Sequence, residues 1–115
     1  MITGASERIR IEMSLLDGVT ELPHRFGGIE FRLGRRELGH IHCDSLLDIP
    51  FPMNVRNELV EKGEVKKHHI LPDSGWISLA ITTEQDVAKA IALLRRSFDI
   101  AVESARRKRS DVTKK

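Results

Sequence analysis

The stretch Leu38–Asp44 reads LGHIHCD, with polar side chains alternating with apolar ones through most of its length. Such alternation is typical of a β-strand, in which successive side chains point to opposite faces of the sheet. In that conformation His40, His42 and Asp44 share one face, and the residues between them share the other. Two imidazoles and a carboxylate in line on a short strand indicate a candidate functional face.

The neighbouring segments predict an antiparallel sheet. Ile29–Leu33 alternates in the same way, and the four residues after it are too few for a parallel crossover. The two strands therefore form an antiparallel hairpin. A third strand is predicted at Gly75–Thr82, where Ile77, Leu79 and Ile81 share one face.

Helical patterns flank these strands. The sequence predicts helices over Ser6–Leu16, from Pro52 to about Lys62, and from Thr83 to about Arg106. The last begins with Thr83–Asp86, which resembles a capping box with Asp in place of Glu or Gln. Segments 20–28 and 45–51 are predicted to be loops. The predicted fold is α+β, a three-stranded antiparallel sheet with helices on one face, in the order α-β-β-α-β-α.

Length and charge suggest one domain with a basic end. At 115 residues the chain is long enough for a single core. We expect one domain over residues 1–105 and a basic, disordered tail over residues 106–115. The tail carries six basic residues against Asp111, a net charge of +5, which leaves −3 for the rest of a chain whose total is +2. A mildly acidic body argues against a broad nucleic-acid-binding face.

Cysteine content and hydropathy suggest a cytoplasmic protein. No apolar run approaches the roughly 20 residues that span a bilayer, and no secretory leader is recognisable. The single Cys43 cannot form an internal disulfide, which fits a reducing compartment. Its place in the alternation predicts that it faces the core as a small hydrophobe rather than acting as a nucleophile.

A second histidine-rich segment, residues 68–76, reads HHILPDSGW. We expect its polar and aromatic groups to approach the histidines of Leu38–Asp44 on the sheet face without helices. Aromatic side chains beside polar groups are common at binding sites. The predicted ligand-binding residues are His40, His42, His68, His69, Asp73 and Trp76.

Two other interpretations of these residues are a metal site and an acid–base pair. His40 and His42 could chelate zinc, iron or another first-row metal, with Asp44 and one of His68 or His69. Because this histidine spacing is common by chance, we expect no metal.

Acid–base chemistry would pair His42 with Asp44, Asp48 or Asp73. We favour turn and loop capping for these aspartates. The sequence assigns no catalytic residue and no cofactor.

Four strings of the chain match the pattern of a known family: IEF at 29–31, RELGHIH at 36–42, DIPF at 48–51 and HHILPDSGW at 68–76. Over about residues 22–105 the chain resembles the small bacterial luciferase-domain family, named after a related domain in fungal luciferase. Its layout is also similar to that of MmcQ/YjbR-like domains. The resemblance implies an α+β fold and draws attention to the six predicted ligand-binding residues.

These observations lead to two hypotheses. The first is a domain that binds a small aromatic or phenolic molecule on the face bearing His40, His42 and Trp76. The alternative is a non-enzymatic module that docks a protein or nucleic acid, through the same face or through the basic tail. We expect no membrane partner, nucleic acid only at the tail, and either a monomer or a homodimer.

Overall fold

The computed structural model describes residues 2–113, apart from the side chains of residues 26 and 111–113. It is an α+β fold, as predicted, with three α-helices and one antiparallel sheet. The helices are α1 (Ala5–Ser14), α2 (Met53–Glu61) and α3 (Glu84–Thr113). The strands are β1 (Val19–His24), β2 (Gly28–Leu33), β3 (Arg36–His42), β4 (Leu46–Pro50), β5 (Lys66–Lys67) and β6 (Trp76–Ala80), and a 3₁₀ turn, Arg25–Gly27, joins β1 to β2.

The prediction of a three-stranded sheet is wrong. The described sheet has six strands in the spatial order β1-β2-β3-β4-β6-β5, so the elements follow one another as α-β-β-β-β-α-β-β-α. Segment 20–28, predicted to be a loop, contains most of β1, and segment 45–51, also predicted to be a loop, contains all of β4. The short β5 adds an edge strand. The predicted hairpin is present as β2 and β3.

The strand register sets four polar side chains in one row across the sheet. Glu30 pairs with His40, His40 with Asp48, and Asp48 with Ser78. Residues directly opposite each other on paired strands point to the same side. All four side chains are buried. Their polar atoms therefore need hydrogen-bond partners on the same face of the sheet.

The other face of the sheet is apolar and forms the core with α1 and α3. A β-bulge adjusts β3 to this face. Phe31 pairs with Gly39 and Arg32 with Glu37, which leaves Leu38 as the extra residue. Leu38 is fully buried in the core, although strict alternation would place it on the histidine side. The bulge thus keeps His40 and His42 on the polar face and supplies one more core side chain.

Cys43 does not face the core, which corrects the prediction. Strand β3 ends at His42, and Cys43 is an exposed turn residue with a φ of 51°. The turn also directs Asp44 away from the histidines. Its carboxylate accepts hydrogen bonds from the backbone N–H groups of Gly4 (3.2 Å) and Ser6 (2.7 Å). Asp44 therefore caps the start of α1 from outside the helix.

Helix α3 is longer than predicted. It runs to Thr113 rather than ending near Arg106, so residues 106–113 of the basic segment are helical, and the last two residues lie outside the described part of the chain. Within residues 2–113, none of the helices combines the length and apolarity needed to cross a membrane.

Candidate functional site

A pocket of about 410 Å³ lies over the polar row of the sheet. It contains all five histidines of the chain. Its lining residues come from strands β1, β3 and β4, from the 3₁₀ turn after β1 and from the segment 68–76. The lining residues are His24, Arg25, His40, His42, Asp48, His68, His69, Ile70, Leu71 and Trp76.

Five of the six predicted ligand-binding residues line this pocket, namely His40, His42, His68, His69 and Trp76. Asp73 is exposed and is not among the lining residues. His24 was missed because its segment was predicted to be a loop. Asp48 was considered as a partner of His42 but interpreted as a loop cap.

Asp48 is the centre of the cluster and is only 1% exposed. Its Oδ2 lies 3.2 Å from the Nε2 of His40, 3.2 Å from the Nε2 of His42 and 3.6 Å from the Nε2 of His68. Its Oδ1 accepts a hydrogen bond of 2.6 Å from the hydroxyl of Ser78. One buried carboxylate therefore holds three imidazoles together.

Electrostatics favour a charged pair at the floor of the pocket. Burial lowers the pKa of His40, but its hydrogen bonds with Asp48 and Glu37 outweigh burial and raise the pKa from 6.5 to about 9. Burial raises the pKa of Asp48, but hydrogen bonds from His40 and Ser78 outweigh it and lower the pKa from 3.8 to about 2. The Nδ1 of His40 is 2.7 Å from Glu37 Oε2, so both nitrogens of this ring face carboxylates.

The backbone fixes the proton position of His68. Its Nδ1 accepts hydrogen bonds from the N–H groups of Ile70 (3.2 Å) and Leu71 (3.1 Å). An acceptor nitrogen carries a lone pair, so the ring proton sits on Nε2, which faces Asp48. Burial lowers the pKa of His68, which agrees with a neutral ring. The Nε2–H of His68 therefore faces Asp48, at a distance longer than a hydrogen bond.

His24 joins the cluster from β1. Its ring stacks on His40, with centroids 3.9 Å apart and planes 15° apart. Its Nδ1 lies 3.0 Å from Glu30 Oε1, and Glu30 also pairs with Arg32. Hydrogen bonds from His24 and Arg32 overcome the effect of burial and lower the pKa of Glu30. A charged carboxylate therefore orients the His24 ring.

Trp76 forms one wall of the pocket. Its ring centroid is 5.3 Å from that of His40 and 5.9 Å from that of His68. The residue before it has to be glycine, because a Cβ on Gly75 would overlap the carbonyl oxygen of Phe51. The backbone of Gly75 is also held by a hydrogen bond from Phe51 N–H to Gly75 O (3.0 Å). The two contacts fix the start of β6 and with it the position of Trp76.

A side chain of α2 holds the segment that carries His68 and His69. Arg56 is buried, and its Nη2 donates a hydrogen bond of 2.5 Å to the carbonyl oxygen of Pro72. Ile70 and Leu71 remain 71% and 48% exposed at the pocket rim. The arrangement combines an apolar rim with a floor of hydrogen-bonding and ionisable groups.

A larger cavity of about 570 Å³ lies between α2 and α3, and its lining includes Arg36, Arg96 and Arg107. Arg96 lies 3.6 Å from Glu58 and Arg107 lies 3.2 Å from Glu103, so these guanidinium groups already face carboxylates. This cavity contains no histidine. The smaller pocket brings together imidazoles, a buried carboxylate and an indole, which are common at binding and catalytic sites, and it is therefore the candidate site.

Comparison with known proteins gives one match. The profile of the luciferase domain matches residues 35–97, a span that contains His40, His42, Asp48, the segment 68–76 and the start of α3. No curated protein and no solved structure matches the chain. The similarity to MmcQ/YjbR-like domains therefore stays a prediction. Because the matched residues make up more than half of the sequence, the chain belongs to the luciferase-domain family.

Proposed function

We propose that the protein binds a small aromatic or phenolic molecule in the pocket lined by its five histidines and Trp76. The observation that carries this proposal is the meeting of imidazoles, an indole and two aliphatic side chains around one cavity of about 410 Å³. Small-molecule sites are commonly apolar clefts of about 300–1,000 Å³ with a few placed polar groups.

The composition of the walls favours a flat, partly polar ligand. Trp76 offers an aromatic face, and Ile70 and Leu71 offer apolar contact at the rim. The side chain of His42 is 30% exposed and that of His69 is exposed, so both can reach a hydroxyl group of the ligand. His40 and Asp48 are more deeply buried and form the floor.

Trp76 provides the test, because it is the only tryptophan of the chain. We expect saturable changes in its fluorescence when the protein is titrated with a panel of phenols, catechols and larger hydroxylated aromatic compounds. Aliphatic acids and sugars of similar size are the comparison set. If no aromatic compound changes the Trp76 emission, the proposal is wrong.

Replacement of His42 tests the polar anchor. We expect His42→Ala to weaken binding of the best phenol roughly tenfold, as the loss of a hydrogen bond worth about 1.5 kcal/mol implies. Gln85→Ala, an exposed change in the first turn of α3, is the control and should bind as the unmodified chain does. Circular dichroism of both variants separates lost binding from lost folding.

A further inference from the structure

We propose that His40, His42 and Asp48 form a binding site for a divalent first-row transition metal ion, contrary to the sequence-based expectation of no metal. The site lies at the floor of the pocket described above. The inference therefore deepens the proposed function and rests on this pocket being a binding site.

The first argument is that two imidazole nitrogens converge on one carboxylate oxygen. The Nε2 atoms of His40 and His42 each lie 3.2 Å from the same oxygen, Oδ2 of Asp48. Metal–nitrogen and metal–oxygen bonds of about 2.0–2.2 Å at tetrahedral angles place neighbouring ligand atoms roughly 3.4 Å apart. The separations from Asp48 are thus close to those of ligands that share one ion.

The second argument is the outer layer of hydrogen bonds. Metal-binding histidines usually donate their other N–H to a carboxylate, and metal-binding carboxylates are themselves hydrogen-bonded. Here Glu37 faces Nδ1 of His40 at 2.7 Å, and the hydroxyl of Ser78 donates to Oδ1 of Asp48 at 2.6 Å. The Nε2 of His68 lies 3.6 Å from Oδ2 of the same carboxylate. These groups orient His40 and Asp48 in the metal-free protein.

Among the described residues, two different histidine groups have potential ligand atoms that all lie within 4.8 Å of one another. Each is less suited to hold an ion than the proposed set. One consists of Asp48, His68 and His69, and the other of His24, His40 and His42. The Nδ1 of His68 accepts two backbone N–H groups, so this ring cannot move its proton to Nδ1 and free Nε2 for an ion. His40 differs because its Nδ1 faces Glu37 and can keep its proton, while Nε2 releases a proton when the ion binds.

The stacking of His24 on His40 argues against the second group. Their planes differ by only 15°, so the in-plane lone pairs of the two rings run side by side instead of converging on one point. The rings of His40 and His42 are 86° apart, and both present Nε2 to the same carboxylate oxygen.

The ligand set indicates the class of ion. Imidazole nitrogen is a good ligand for zinc, iron, cobalt and nickel and a poor one for calcium and magnesium. Two imidazoles and one carboxylate leave coordination positions open. Because these ligands form the floor of the pocket, the open positions would face its interior, where a phenolate or enolate oxygen could coordinate.

Direct metal binding tests the inference without requiring activity. Tag-free protein dialysed against EDTA and then into buffer without chelator is titrated with Zn(II) by calorimetry and with Co(II) by visible absorption. We expect one equivalent per chain at micromolar affinity or tighter, with an absorption spectrum typical of mixed nitrogen and oxygen ligands. The absence of saturable binding of either ion overturns the inference.

Four variants identify the ligands. His42→Ala and Asp48→Asn should each weaken binding a hundredfold or more, whereas His69→Ala and His24→Ala should change it less than fivefold. His42 is partly exposed, so His42→Ala gives a readout even if Asp48→Asn fails to fold. If His24→Ala abolishes binding and Asp48→Asn does not, the ion is held by the histidine stack and the proposed ligand set is wrong.

Repeating the Trp76 fluorescence titration with and without EDTA separates this inference from the proposed function. Phenol binding in EDTA by a protein that binds no metal leaves the proposed function intact and overturns the inference. Metal binding by a protein whose Trp76 emission responds to no phenol supports the metal site and contradicts the proposed ligand.

Discussion

Asp48 combines almost complete burial with a charge. It lies in β4 between Leu47 and Ile49, two core residues, and points to the opposite face of the sheet. A buried carboxylate is tolerated only when it is paired and hydrogen-bonded. The partners of Asp48 are three imidazoles and the hydroxyl of Ser78. This carboxylate therefore contributes to folding as well as to the chemistry of the pocket.

We expect Asp48→Asn to lower the free energy of unfolding of the metal-free protein by about 2–4 kcal/mol. The change removes one partner of a buried ion pair and brings an amide next to imidazole donors. Urea denaturation in EDTA, followed by circular dichroism, measures it. Asp73→Asn, at an exposed position, is the control and should cost less than about 0.5 kcal/mol. Equal costs for the two variants would contradict the role given to Asp48.

Secondary structure was predictable where the sequence pattern is local. The hairpin of β2 and β3 follows from alternation, and the reciprocal cap at the start of α3 is present, with Thr83 N–H donating to Asp86 and Asp86 N–H donating to the Thr83 hydroxyl. Strands β1 and β4 were missed because Pro23 and Pro50 suggest loops. Pro23 is tolerated since β1 is an edge strand, and Pro50 is the last residue of β4.

The two strands absent from the prediction explain why His24 and Asp48 were not predicted as site residues. His24 is the last residue of β1, and Asp48 is in the middle of β4. A signal for Asp48 was present, because a carboxylate enclosed by Leu46, Leu47 and Ile49 is unusual in an exposed loop. No comparable local pattern marks His24, whose position depends on pairing with β2.

At the start of β6 we expect Gly75→Ala to destabilise the protein by about 3 kcal/mol or more, because the new Cβ would overlap backbone that cannot move independently. Thermal denaturation followed by Trp76 fluorescence measures the change. Gly63→Ala provides a comparison, since Gly63 has a φ of +72° but open space around it. Its conformational cost should be only about 1 kcal/mol. A cost for Gly75→Ala no larger than this would contradict the assigned steric role.

At the start of α3 we expect Asp86→Ala to cost about 1 kcal/mol near neutral pH. Hydrogen bonds from the backbone N–H of Thr82 are the main cause of a lowered pKa for Asp86. The lowered pKa means that the stabilisation is present above the ordinary value of 3.8 and is lost as the pH falls below it. The difference between the unmodified chain and the variant should therefore shrink between pH 5 and pH 2, which denaturation at each pH would show.

Asp99→Ala is the control for that pH series. Asp99 is exposed farther along α3, 3.8 Å from Arg95, and its replacement should have little effect at any of these pH values. A constant difference for Asp86→Ala across the series would contradict the capping role.

On the scale of the whole molecule, β4 decides how the site is assembled. It lies between β3 and β6, so Asp48 is placed between the histidines of β3 and the segment 68–76. The sequence indicated that the two histidine groups would meet. It did not indicate that Asp48 would lie between them, because strand order depends on long-range pairing rather than on any local pattern.

The basic end of α3 does not line the pocket. Residues 106–109 are exposed, and none of the pocket residues lies on α3. We expect truncation after Ala105 to change stability by less than about 1 kcal/mol and to leave the Trp76 titration unchanged. If the truncated protein loses salt-sensitive binding to nucleic acid while it keeps phenol binding, the basic segment has a separate role. Loss of phenol binding would contradict the assignment of the pocket.

The arrangement of the sheet also has a kinetic consequence. Strands β1 to β4 are neighbours in sequence as well as in space, whereas Ser78 meets Asp48 across 30 residues of chain. Local pairings form faster than those that close long loops. During refolding, the half of the pocket with His24, His40 and His42 should therefore become protected from hydrogen exchange before the Trp76 emission reaches its native value. A chain stopped at that stage would already present a histidine cluster, still without its aromatic wall.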